Sequence, residues 1–208
     1  MTRLTGITVN EDSIEGVRLV LASRSPRRAE LLRAAGIEFD VLPADTDEAM
    51  SAEESPEAYV ERVARLKAEA VWQQAPGRIV LGADTVVVVD GEVLGKPADA
   101  EAAKHMLRRL SGRAHVVLTG IALVFSDAGS TRTQTRVART VVELAPLSDT
   151  VLDWYVASGE PLDKAGAYAI QGLASRFVKR IDGSYSNVVG LPVAELYALC
   201  TEAGILVS

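Results

Sequence analysis

With one cysteine and two histidines in 208 residues, the chain is poor in the side chains that make disulfides and zinc sites. Cys200 has no internal partner and lies in a helical pattern, where it reads as a small buried hydrophobe in a protein of the reducing cytoplasm. His105 and His115 lack the spacing and the Cys/His company of a zinc centre. Long apolar runs are missing too. Runs such as Thr85 to Val89 fall far below the roughly 18 residues that a membrane span requires, so no span is expected. Residues 1–16 are polar, with neither the apolar core of a secretory signal nor the basic character of a transit peptide, and are expected to form a loose tail ahead of a single domain over residues 17–208. Positive charge is short as well: a net charge of −6 leaves little basic surface for extended nucleic acid. A polyanionic ligand would therefore be small or metal-bound. Familiar signatures are absent, since "GEVLGKP" has neither the spacing nor the Ser/Thr of a Walker A loop, and no G-x-G-x-x-G, H-E-x-x-H or G-x-S-x-G occurs.

What the chain does have is an irregular alternation of strand and helix patterns. "VRLVLAS" predicts a buried strand, followed by a helix that Pro26 opens and Gly36 closes. A strand at "EFDVLP" runs into an acidic loop at Asp45, Asp47 and Glu48, and Ser55 and Pro56 open a long amphipathic helix with Lys67 near its far end. Asp90 and Gly91 mark a hairpin inside "RIVLGADTVVVVDGEVLGKP". A helix at 98–110 precedes two neighbouring strands at 115–125 and 132–144, and Ser148 caps a further helix. Strand-like runs are expected across 165–190 before Pro192 opens the last helix. A hairpin inside an otherwise parallel order predicts an α/β fold with a mixed, twisted sheet flanked by helices.

Polar residues at the ends of these elements are the candidates for chemistry. Arg27 and Arg28 add positive charge to a helix start that is already positive, an arrangement that suits either a bound anion or a solvated surface pair. Asp84 interrupts an apolar strand, where a carboxylate is costly unless it is paired or ligates a metal. With Glu48 it would offer two oxygen ligands for Mg²⁺ bridging phosphates, although Glu48 also fits a solvated loop. Lys96 is held in direction by Pro97, Lys67 is a weaker candidate, and Asp163 and Lys164 read as a neighbouring ion pair. Gln171 presents a planar amide suited to reading a base edge or to a structural role in the core.

The blocks "LASRSPRR", "GADTVVVVDGEVLGKP", "EPLDKAGAYAIQG" and "GSYSNVVGLPV", in order between Arg18 and Gly204, resemble the Maf family of nucleoside triphosphate pyrophosphatases. The resemblance implies a fold similar to inosine triphosphate pyrophosphatases, with two lobes around a nucleotide cleft, a cytoplasmic homodimer and a divalent cation, Mg²⁺ or Mn²⁺, as cofactor. It implies hydrolysis between the α and β phosphates, with Asp84 as proton acceptor, Ser23, Arg27, Arg28, Lys67 and Lys96 on the phosphates, and Glu48 with Asp84 on the metal. Arg27, Thr85 and Gln171 resemble the subgroup acting on dTTP and UTP; the 7-methyl-GTP subgroup typically has Trp, Gln and Glu at these places. A 7-methyl-GTP or broad-specificity nucleotide pyrophosphatase, or a regulatory binding role in septum formation, is the alternative.

Overall fold

The computed structural model describes residues 17–51 and 53–205. The expected loose tail at 1–16 lies outside them. A seven-stranded sheet carries the structure. Its strands are β1 (Leu19–Leu21), β2 (Phe39–Val41), β3 (Ile79–Val89), β4 (Glu92–Leu94), β5 (Ala114–Asp127), β6 (Ser130–Leu144) and β7 (Val178–Asp182). The helices are α1 (Pro26–Ala34), α2 (Pro56–Trp72), α3 (Ala100–Leu110), α4 (Asp149–Ala157), α5 (Tyr185–Val189) and α6 (Val193–Glu202). The strands run in the order β2-β1-β3-β5-β6-β7, with β4 beside β3. β1 is parallel to β2 and β3, whereas β3, β5, β6 and β7 form an antiparallel run.

Helix starts follow the local chemistry. Ser25, Ser55 and Ser148 each accept a backbone N–H of the first turn, and Pro follows directly in α1 and α2. Asp90 and Gly91, both at positive φ, make the turn between β3 and β4.

The sheet is covered on both faces, which is why its central strands read as nearly continuous apolar runs. α2 lies on one face, against Val20, Val80, Ala122 and Val124. It comes close because Gly82 and Gly120 have no side chain: a Cβ on Gly82 would sit 2.1 Å from the Ala64 carbonyl oxygen, and one on Gly120 2.2 Å from that of Val60. The opposite face carries two separate apolar clusters. Leu81, Ala83, Ile121 and Leu123 pack with Leu32 of α1 and Leu196 and Leu199 of α6. Val87, Val89, Val117 and Val142 pack with Leu107 of α3 and Leu152 and Tyr155 of α4. Between these lobes runs a polar seam, in which Thr85 and Thr119 face each other across β3 and β5 with hydroxyls 3.0 Å apart. Thr119 donates to the Asn187 carbonyl (3.3 Å), and the Asn187 amide donates to Thr140 (2.9 Å).

The expected strands across 165–190 are largely replaced by 3-10 turns at Ala165–Ala167 and Leu173–Phe177 and by α5; only β7 is a strand. Positive φ at Gly166 and Ala167 bends the chain out of extension. The consecutive residues Ala167 to Ile170 are all buried, so they form a floor rather than an alternating strand. Among the described residues, no helix is long and apolar enough to cross a membrane.

Candidate active site

The site occupies a gap in the sheet. β1 pairs with β3 only as far as Leu21 and Leu81, while β4 begins pairing at Val87, so neither strand covers residues 82–86 of β3 on that edge. A cavity of about 500 Å³ opens there, walled by the β1–α1 turn, the loop after β2, α2, and the segment 163–171. Six cations (Arg24, Arg27, Arg28, Lys67, Lys96 and Lys164) line it against three carboxylates (Glu48, Asp84 and Asp163). In a chain of net charge −6, this cleft has the opposite sign to the molecule as a whole.

Its first wall is the start of α1, which has no acidic residue in its first turn. The two adjacent arginines there diverge. Arg28 is buried and turns inward, donating from Nε to the Gly190 carbonyl (2.8 Å), from Nη1 to Ser23 Oγ (3.0 Å) and from Nη2 to Thr85 Oγ1 (3.1 Å). Burial pushes its pKa down and the nearby Asp84 opposes that shift, so the guanidinium remains a charged part of the wall. Three of its five N–H groups are committed, which leaves two to meet an anion. Arg27 stays partly exposed and reaches Asp163 at 3.5 Å. Neither arginine is the freely solvated surface charge that the sequence left open.

The second wall brings Asp84, Lys67 and Glu48 together. Asp84, on the α2 face of β3, is 8% exposed and Lys67 is 9% exposed. Lys67 Nζ donates to Asp84 Oδ1 at 2.8 Å and lies 2.9 Å from Glu48 Oε1. The loop bearing Glu48 has no regular structure and is tied to α2 instead. The Tyr59 hydroxyl donates to the Glu48 carbonyl at 3.0 Å, and Arg62 donates to the Ala49 carbonyl at 2.9 Å. Burial, helped by Asp84 and Glu48, pushes the Tyr59 pKa up to about 12, so its hydroxyl remains a donor at neutral pH. Lys67 is thus more central than its sequence position indicated.

Two carboxylate oxygens from separate elements converge on one cation, and here that cation is an ammonium. Glu48 and Asp84 each present one oxygen to the point where the Lys67 ammonium stands. Among the described residues, no group of three or more His, Cys, Asp or Glu side chains is arranged for a metal. Two carboxylates alone suit an ion that takes its remaining ligands from water and phosphate.

The remaining candidates line the same cavity. Lys96 is exposed and has no hydrogen bond or ion pair among the described residues. The Thr85 hydroxyl is engaged by Arg28 and Thr119, so its size and its hold on Arg28 are what it brings to the site. Gln171 is exposed at the wall, not packed in the core as its structural reading had it. Lys164 forms the expected pair with Asp163, yet it also donates to the Glu160 carbonyl (3.1 Å) and faces the cavity. Arg24 and Tyr168 were not singled out in the sequence. Tyr168 lines the cavity, and its hydroxyl meets His115 Nε2 at 2.7 Å.

A family model described as Maf-like protein matches residues 18–203. A protein of Anaeromyxobacter dehalogenans strain 2CP-C named dTTP/UTP pyrophosphatase is 57% identical over 187 residues, spanning 90% of this chain and 94% of its own length. One of Symbiobacterium thermophilum with the same name is 54% identical over the same shares, and one of Syntrophus aciditrophicus is 46% identical over 91% of each chain. Among solved structures, the Staphylococcus aureus Ham1 protein superposes with a TM-score of 0.53 at 17% identity, covering 89% of this chain and 99% of its own. That likeness concerns the fold: a mixed sheet flanked by helices. With all but the chain ends matched by one family model, this protein is a member of the Maf-like protein family.

Proposed function

We propose that this protein hydrolyses nucleoside triphosphates between the α and β phosphates, with dTTP and UTP preferred, giving a nucleoside monophosphate and pyrophosphate. The observation that carries the reading is Asp84, a nearly buried carboxylate opening onto a cation-rich cavity in an acidic chain. The names of relatives at 46–57% identity supply the substrates.

Phosphoryl transfer asks for positioning and charge neutralisation more than for covalent chemistry. Arg27, Arg28, Lys96 and the N–H groups at the start of α1, with Ser23 beside them, bind and orient the triphosphate. Asp84 Oδ1 is engaged by Lys67, and among the described residues no hydrogen bond reaches Oδ2. That oxygen accepts the proton of the attacking water as the new P–O bond forms and pyrophosphate leaves with the electrons of the old one. Glu48 and Asp84 would hold a Mg²⁺ or Mn²⁺ ion, whose contribution when bound is to neutralise phosphate charge and acidify water. Gln171 donates and accepts toward the edge of uracil or thymine.

Pyrophosphate release from a panel of nucleoside triphosphates, with Mg²⁺ or Mn²⁺ and with excess EDTA, tests both parts. Turnover that favours dTTP and UTP and stops on chelation supports the reading. A purine preference removes the base assignment, and full activity in EDTA removes the metal. On the same reading the enzyme is a cytoplasmic homodimer, which light scattering of the purified chain and cell fractionation would check.

A further inference from the structure

Segment 160–174 delivers Gln171 to the cavity without a strand to hold it, so its shape must come from side chains elsewhere. Tyr155 of α4 is completely buried, and its hydroxyl donates to Glu160 Oε1 at 2.8 Å while accepting the Ala169 N–H at 3.3 Å. Glu160 Oε2 accepts the Leu173 N–H at 2.8 Å, and Oε1 also accepts the Ala174 N–H at 3.3 Å. The two bonded side chains therefore grip the backbone two residues before Gln171 and two residues after it, touching Gln171 at neither point. A bond from the Gly172 N–H to the Ala169 carbonyl (3.1 Å) closes the bracketed turn. Gly172 lies flat on the carboxylate, since a Cβ there would stand 2.2 Å from Glu160 Oε2.

We propose that Tyr155 and Glu160 are a positioning pair that fixes the main chain from which the Gln171 amide reaches the pyrimidine base, and so sharpens its discrimination between bases. The inference rests on the reading of Gln171 as the base reader. An amide discriminates only when it is prevented from turning to suit the wrong partner, because an adaptable group leaves no unpaired donor or acceptor behind. The pair contributes to that constraint from outside the cavity, by fixing the main chain on either side of Gln171.

Tyr155→Phe removes the hydroxyl and keeps the ring, including its edge contact with Phe177 at 5.6 Å between centroids. Its expected effect is a fall of roughly tenfold in the UTP-to-CTP ratio of kcat/KM, the scale of one lost hydrogen bond, carried by KM with kcat little changed. In the Gln171→Ala background the same substitution should leave the ratio where Gln171→Ala alone puts it. Glu160→Gln, which replaces one acceptor oxygen by a donor facing Tyr155 or a backbone N–H, should act in the same direction and be equally silent without Gln171. It serves as the second variant if Tyr155→Phe does not fold. A ratio that survives either folded variant, or one that falls equally with and without Gln171, overturns the pair. If Gln171→Ala itself leaves the ratio intact, the base reader is elsewhere and the pair falls with it.

Discussion

Lys67 stands 2.8 Å from Asp84, so the carboxylate that takes the proton in the proposed reaction is matched by a cation before any ligand arrives. Both side chains are nearly buried, and removing one charge strands the other. Lys67→Met should lower unfolding stability by about 3 kcal/mol, and the double variant Lys67→Met/Asp84→Asn should recover much of that loss. Urea unfolding of the single and double variants decides it, with simple additivity as the contrary result.

Asp84→Asn preserves size and hydrogen bonding while removing the charge. Turnover should fall by about a hundredfold or more, the scale of a lost general base. Steady-state rates with UTP measure this, and unchanged turnover would move the base to another residue.

Arg27 is held only by a long contact to Asp163, whereas Arg28 is built into the wall. Arg27→Ala should therefore leave the melting temperature close to wild type and weaken transition-state binding of the triphosphate by roughly 1.5 to 3 kcal/mol, read as kcat/KM. Wild-type kinetics with every substrate would return Arg27 to the solvated surface.

Gly120 lets α2 ride on the backbone of β5. Gly120→Ala places a methyl 2.2 Å from the Val60 carbonyl oxygen, and helix backbone rather than a flexible side chain must give way. Destabilisation by about 2 to 3 kcal/mol is expected in thermal or urea unfolding. Turnover should drop as well, because α2 carries Lys67.

His115 is 3% exposed and burial pushes its pKa down to about 4, from 6.5 for the free side chain. Below pH 6.5 the unfolded chain binds a proton that the folded one refuses, so the contribution is complete above that pH and is lost on descending toward 4. The loss amounts to about 3 kcal/mol at most. Urea midpoints between pH 7 and pH 4 should fall for the wild type and fall less for His115→Gln; parallel slopes would show that other groups govern acid sensitivity.

Much of this was legible because it is local. Serine and proline at 25–26 and 55–56 start helices by satisfying N–H groups within the same turn, and Asp90-Gly91 makes its hairpin without outside help. Asp84 was legible as a charge inside an apolar strand. Lys67 could have been found in the same way, since it shares the apolar stripe of α2 with Val60, Val63, Ala64 and Val71. The segment 165–177 misled because burial on consecutive residues imitates a core strand, while the turns at Gly166 and Ala167 leave no mark in an apolar pattern. The roles of Tyr155, Glu160 and Thr119 depend on partners brought near by the sheet and the lobes, and no spacing in the sequence announces them.

The inverted sign of the cleft also has a kinetic meaning. A polyanion meeting this molecule faces a net negative charge and one opening lined by an excess of cations, where low-dielectric walls concentrate the field. Productive encounters are thus selected before any contact forms. Added salt shortens the reach of that field to about 8 Å at physiological ionic strength, so rising ionic strength slows capture of the nucleotide far more than it slows the chemistry that follows.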